Sequence, residues 1–223
     1  MKQILQHLND GKTVVEEVPV PRVRRGAALV RTAVSLVSAG TERMVVDFAE
    51  KNLVGKAASR PDLVKQVLSK ARREGILPTI EASLNKLDQP MPLGYSSAGT
   101  IVEVSPDLAD FKPGDRVACA GGGYAVHAEY GVIPKNLMVH LPDNVDFESA
   151  AFTTLGASAL HGFRLSAPQV GESVCVIGLG LLGLLTAQIA RAAGCQVFGT
   201  DLAGDRVALA HNMGFNAANR ESC

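Results

Sequence analysis

Gly178, Gly180 and Gly183 stand in the spacing G-x-G-x-x-G, and Asp201 follows 18 residues after the last of them. Such a triplet has a specific use between a strand and a helix. The first glycine permits a sharp turn, the second lets backbone approach a pyrophosphate with no Cβ in the way, and the third lets helix pack on strand. Glycine makes up 22 of the 223 residues, so the spacing alone is weak and the context must carry it. Residues 174–177 are an apolar strand, 184–193 have the period of a helix, and a second apolar strand, 195–200, runs into Asp201. A carboxylate at that point can accept both ribose hydroxyls of an adenosine. Leu181 and Leu182, between the second and third glycines, fall where the N–H groups of a helix start would face phosphates. NAD is expected over NADP, because a 2′-phosphate within about 4 Å of Asp201 costs on the order of 4 kcal/mol per unit charge at an effective dielectric near 20. A glycine-rich turn in another doubly wound protein, such as a methyltransferase, stays open as the alternative.

A second stretch with polar chemistry is SLVSAGTER at 35–43, which follows an apolar run. Locally it reads as a strand-to-helix connection in which Gly40 permits a tight turn and Thr41 caps the next helix, with the Glu42 carboxylate next in line. Residues 13–18, 28–37, 99–104 and 116–120 are short β-branched segments punctuated by Pro and Gly, the style of an irregular antiparallel β region. KPGDRV at 112–117 reads as a turn into a strand. Helical spacing over 63–71 and again over 79–87 marks a different kind of sequence between these β segments. Seven basic residues against Asp62 alone lie from Lys51 to Arg73, either a solvated helix face or a basic rim for an anionic substrate. From Phe147 the period becomes helical, with Glu148 in a first turn and a corner at TTLG, 153–156; a last helix is read at 206–213, stopped by Gly214.

Those elements belong to an ordinary soluble composition: 47% hydrophobic and 20% charged, with 22 basic side chains balancing 22 acidic ones. Nothing global calls for nucleic acid or a membrane surface as partner. Cys119, Cys175, Cys195 and Cys223 are far apart and form no CxxC pair, which points to reduced thiols in a cytoplasmic protein. The N-terminal MKQILQHLNDGK lacks the apolar run of a signal peptide.

With the β-rich beginning and the glycine fingerprint both in view, the chain resembles the medium-chain dehydrogenase/reductase superfamily of zinc alcohol and sorbitol dehydrogenases and zinc-free quinone reductases. The resemblance is carried by SAGTE at 38–42, LGYSSAGTIVEV at 93–104, FKPGDRVA at 111–118, HAEY at 127–130, TTLGASALHG at 153–162 and the glycine segment. It implies an α/β plus β fold: a GroES-like β-rich catalytic domain over 1–146, with a helical insertion at 43–90, then a partial Rossmann domain, a doubly wound parallel sheet, over 147–223. The active site would lie between the domains. The sheet would be incomplete, as in a truncated chain.

Zinc members of the superfamily carry C-G-T-D, G-H-E-x-x-G and a further donor where this chain has Ala39, Tyr95 with Ser96, and Thr154. A catalytic zinc needs about three donors of the Cys, His or carboxylate type, so the resemblance implies a branch without zinc. The SAGTE, long insertion and LGYS pattern is similar to a branch fused to a glucose-fructose oxidoreductase-like domain and linked with polysaccharide synthesis. By position, Thr41 matches a proton-relaying hydroxyl and Tyr95 offers a phenol at a former ligand. Thr154 and Ser158 fall beside the cofactor, and Arg206 matches a cation near the adenosine ribose. His161 and His127, the latter read as part of a strand, are expected to be hydrogen-bonded structural histidines. The implied activity is NAD(H)-dependent, zinc-independent hydride transfer with a small-molecule carbonyl or alcohol, sugar-linked or otherwise anionic. Self-association of the full-length protein is a further expectation. The rival reading is a non-catalytic NAD-binding module that senses redox state or docks a partner domain.

Overall fold

The computed structural model describes residues 1–51 and 89–220. The helices read at 63–71 and 79–87, and the basic run apart from Lys51, lie outside the described residues. By packing the chain forms two compact units, Met1–Ala151 and Phe152–Cys223.

The first unit is built from strands rich in β-branched residues: residues 13–17 alternate between half-buried and exposed, whereas 27–30, 96–99 and 117–119 are buried in continuous runs. β1 (Lys2–Gln6), β2 (Thr13–Glu17) and β4 (Met91–Pro92) make a small antiparallel sheet in the order β2-β1-β4. β3 (Ala27–Ser35), β5 (Ser96–Val104), β6 (Arg116–Ala120), β7 (Tyr130–Pro134) and β8 (Met138–His140) make a larger one, ordered β7-β3-β5-β6-β8 and antiparallel throughout. Its core includes Val30, Ile101, Phe111, Val117, Cys119 and Ile133. β3 and β5 approach so closely beside a bulge that a Cβ on Gly99 would overlap the Arg31 carbonyl. The turn before β6 forms as its sequence reads: Gly114 has φ +94° and the Asp115 carboxylate accepts the Lys112 N–H at 2.8 Å.

After β3 the chain enters α1 (Ala39–Glu50). The two expectations for this corner are corrected. Ser38, not Thr41, is the N-cap; Gly40 and Thr41 already lie in the helix, and Gly40 supplies no left-handed turn.

The first unit runs to Ala151, past the expected boundary at 146. α2 (Phe147–Ala150), capped by the Asp146 carboxylate on the Ser149 N–H at 2.6 Å, packs on β5, β3 and β6, and Arg116 stacks 4.7 Å over the Phe147 ring. Ser96 Oγ donates to the Ala151 carbonyl at 2.6 Å and fastens the end of the unit. The expected corner at TTLG is therefore displaced: the break falls at Ala151–Phe152, and Thr153 and Thr154 open α3 (Thr153–Ser166).

The second unit is α/β. β9 (Ser173–Ile177), β10 (Gln196–Asp201) and β11 (Asn216–Asn219) are parallel in the order β11-β10-β9, with α4 (Leu181–Ala192) and α5 (Gly204–Asn212) as crossovers. Val176, Leu179, Ala187, Val207, Ala210 and Phe215 are its core. The opposite sheet face carries Cys175, Ile177 and Phe198; Ile177 is 77% exposed, so no described helix covers it. Among the described residues, no helix is long and apolar enough to cross a membrane.

Cys119, Cys175 and Cys195 are thiols. Burial pushes the Cys119 thiol up to about 12 against the pull of the Ser97 hydroxyl. A raised folded-state value favours the neutral thiol in the fold, so the stability it confers is complete below about pH 9 and is lost as pH climbs from 9 toward 12. The loss amounts to at most on the order of 4 kcal/mol. Denaturant unfolding from pH 8 to 11 is expected to decline less steeply for Cys119→Ala than for the wild type; parallel declines would refute this origin.

Candidate functional site

In the first unit, the polar residues around SAGTE are ordered by one carboxylate. Glu42 Oε1 accepts the Ser38 N–H at 2.9 Å, and Glu42 Oε2 meets His127 Nε2 at 2.9 Å. The other ring nitrogen, Nδ1, bonds Ser35 Oγ at 2.9 Å at the end of β3. Both members of the Glu42–His127 pair are buried, their side chains 11% and 5% exposed. Ser38 makes no side-chain cap bond; its hydroxyl donates instead to Thr41 Oγ1 at 3.4 Å, leaving Thr41 on the exposed surface of the first turn.

Tyr95 is half-buried just before β5, where its carbonyl accepts the Gly121 N–H at 2.9 Å. His127 sits against the preceding Gly94: its N–H donates to the Leu93 carbonyl at 2.8 Å, and a Cβ on Gly94 would come within 2.9 Å of Nδ1. Gly94 has φ +93°, so both space and backbone conformation demand glycine. His127 is structural as expected, but it lies in a bend rather than a strand. The importance of Glu42 and Ser35 was missed; the clue available was a serine and a glutamate framing one helical turn, with no signal for which histidine would meet them.

In the second unit, Gly178, with φ +96°, makes the turn after β9, and its N–H donates to the Thr200 carbonyl at 2.7 Å. α4 begins at Leu181 with Gly180 as N-cap, three residues earlier than the periodicity indicated, so Gly183 lies in its first turn. A Cβ on Gly183 would overlap the Gly178 carbonyl, which is why only glycine allows the helix to start this close to the strand. Among the described residues, the neighbour a Cβ on Gly180 would meet within 4 Å is Arg206 alone, at 3.8 Å, so this side of the turn is open to them. The first closed helical bond is Leu184 N–H to the Gly180 carbonyl, at 2.9 Å. The N–H groups of Leu181, Leu182 and Gly183 therefore belong to the helix start, where an anion is favoured.

Asp201 is buried and already engaged. Oδ2 accepts the Leu179 N–H at 2.6 Å and Oδ1 the Ala203 N–H at 2.9 Å. These two backbone donors, Ala203 first, hold its carboxyl below the ordinary aspartate range, with a smaller contribution from Arg206, whose Nη1 lies 3.5 Å from Oδ2. The carboxylate thus fastens the glycine turn to the end of β10, a role the fingerprint did not disclose. A carboxylate has about four acceptor positions, so ribose hydroxyls can still be received.

Thr154 is half-buried in the first turn of α3, and exposed Ser158, one turn on, donates its hydroxyl to the Thr154 carbonyl at 3.1 Å. His161 is exposed on the same helix, not the hydrogen-bonded structural residue expected. Among the described residues, no three His, Cys, Asp or Glu side chains converge in a way that could hold a metal. Ala39, Tyr95 and Thr154 likewise provide no donor set that suits zinc.

The sequence profile of the alcohol dehydrogenase GroES-like domain matches residues 67–143. An alcohol dehydrogenase of Geobacillus stearothermophilus is 29% identical over 208 residues, covering 78% of this chain and 61% of that protein. A quinone oxidoreductase of Pseudomonas aeruginosa is 34% identical over 128 residues, 56% of this chain and 39% of that protein. Among solved structures, galactitol-1-phosphate dehydrogenase of Escherichia coli superposes with a TM-score of 0.74 at 23% identity, over 100% of this chain and 62% of that one. The Escherichia coli quinone oxidoreductase complexed with NADPH gives a TM-score of 0.74 at 17% identity, over 100% and 60%. At these identities the structural likeness concerns the fold, and the chain spans about 60% or less of the curated relatives' length. A β-rich unit with the GroES-like match, followed by a parallel-sheet unit with the glycine turn, together with these relatives supports a place for the chain in the medium-chain dehydrogenase/reductase superfamily.

Proposed function

We propose that this chain is the catalytic and cofactor-binding portion of an NAD(H)-dependent, zinc-independent oxidoreductase acting on a carbonyl or alcohol. The observation that carries the reading is the glycine turn closed by Asp201: Gly183 tight against Gly178, Gly180 open, and the carboxylate on the Leu179 N–H. Gly180, Leu181, Leu182 and Gly183 would receive the pyrophosphate and Asp201 the ribose, with Arg206 beside it. Thr154 and Ser158, on α3, are assigned to the nicotinamide half. Nicotinamide, when bound, supplies the hydride.

The remaining chemistry falls to this chain's side chains. Without a Lewis acid on the substrate oxygen, a hydrogen-bond donor must hold or protonate it. Thr41 is an exposed hydroxyl at a helix start, and Tyr95 carries a phenol where the zinc members have a ligand; we assign both as donors to that oxygen. The relatives' names span alcohol, L-threonine and sorbitol dehydrogenases and quinone oxidoreductases, so they support the oxidoreductase class rather than one substrate. The basic residues from Lys51 to Arg73 favour a sugar-linked or otherwise anionic one. A soluble, cytoplasmic enzyme that assembles with copies of itself is part of the same reading. The missing donor set also supports a second reading, a module that binds NAD and senses redox state or docks a partner without turnover.

Calorimetry of the 223-residue chain with NADH, and separately with NADPH, tests the cofactor reading. NADH is expected to bind more tightly, and Asp201→Asn to narrow or reverse the preference by roughly tenfold or more; no binding of either would refute the reading. NADH binding should hold as pH falls toward 4 and be lost only below it, because the depressed Asp201 carboxyl stays ionised through the ordinary aspartate range near 3.8. With a panel of carbonyl substrates, Thr41→Ala and Tyr95→Phe are each expected to lower kcat by roughly 10² to 10⁴. NADH binding without turnover of any substrate would favour the non-catalytic reading, and stoichiometric zinc on metal analysis would remove the zinc-independent part.

A further inference from the structure

The Glu42–His127 pair is an expensive arrangement for a core. Two ionisable side chains are buried together, although apolar residues of similar volume would pack there with no desolvation penalty. What the pair holds explains its use. With one oxygen Glu42 grips the backbone N–H of Ser38, the N-cap of α1, and with the other it grips a ring that leans on Gly94 and bonds Ser35, while the backbone N–H of that histidine donates to the Leu93 carbonyl. The ring's own backbone carbonyl accepts the Ile4 N–H at 2.9 Å, so the anchor reaches into β1 as well. The start of α1 is thereby fixed against the turn that carries Tyr95.

The hydroxyl of Ser38 is diverted by this arrangement. An N-cap serine usually accepts a backbone N–H from the first turn; here Glu42 holds the Ser38 backbone, and the Ser38 hydroxyl donates to Thr41 Oγ1 at 3.4 Å. A hydroxyl has one proton to give. With its oxygen already accepting from Ser38, Thr41 is left to point that proton outward from an exposed position.

We propose that Glu42 and His127 are positioning residues that, through Ser38, orient the Thr41 hydroxyl as the proton donor to the substrate oxygen. This rests on the assignment of Thr41 under the proposed function. It adds that a buried carboxylate–histidine contact and a diverted cap serine, rather than the helix alone, set the direction of that proton.

The test is a double-mutant cycle on the 223-residue chain with NADH and a carbonyl substrate that the wild type reduces. Ser38→Ala, Glu42→Gln and His127→Gln are each expected to lower kcat about tenfold while KM for NADH changes less than about twofold, and Ser38→Thr, which keeps the hydroxyl, to restore most of the loss. In a Thr41→Ala background the same three substitutions should change kcat by less than about twofold, because there is no longer a hydroxyl to orient. Losses that multiply in that background would overturn the positioning role and leave Thr41 itself untouched. A wild-type chain that binds NADH but turns over no substrate would sink the oxidoreductase reading and this role together. Ser38→Ala leaves Glu42 and His127 in place, so it keeps the cycle decisive even if a variant of the buried pair fails to fold.

Discussion

A carboxylate taken out of water must be given donors, and both candidate site regions of this protein are organised by that requirement. Glu42 finds the Ser38 N–H and the His127 ring; Asp201 finds the Leu179 and Ala203 N–H groups. Backbone donors have no flexible stem, so a carboxylate that binds them fixes the path of the chain as well as its own position. The start of α1 and the glycine turn before α4 are placed in this way. Among the described residues no buried side-chain nitrogen or oxygen lacks a partner, so this accounting closes throughout.

The apolar framework sets where those carboxylates can act. In the first unit a five-stranded antiparallel sheet around Val30, Ile101 and Val117 holds the end of β3 beside the start of β5, which brings Ser35 and the Leu93–Tyr95 turn within reach of one histidine. In the second, the pairing of β9 with β10 brings the end of β10 level with the turn after β9, so that Asp201 can reach Leu179. Glycine appears at the points of closest approach. Gly99 lies against the Arg31 backbone, Gly94 against His127, and Gly183 against the Gly178 carbonyl, and a methyl group at any of them would push apart elements that the hydrogen bonds require to touch.

Much of this was legible in the sequence. The G-x-G-x-x-G spacing with Asp201, the turn at KPGDRV and most strands could be read because they rest on local rules: glycine at positive φ, apolar alternation and turn chemistry. The corner at SAGTE was misread for the same reason. Gly40 and Thr41 have a turn-like and a cap-like local preference, and nothing local says that Ser38 would take the cap while Glu42 reaches back to hold it. His161 and His127 differ by tertiary environment alone: one faces solvent and the other is enclosed by residues 35, 42 and 94.

The sequence by itself determined most of the element types and the glycine fingerprint with its acid, because each depends on residue identity and on spacing within a few turns of chain. Only the tertiary structure decided which polar groups meet. Ser35, Glu42 and His127 converge across 92 residues of chain, and Asp201 reaches back 22 residues to Leu179. Such contacts depend on how sheets pair and pack, and spacing along the chain carries no direct record of that.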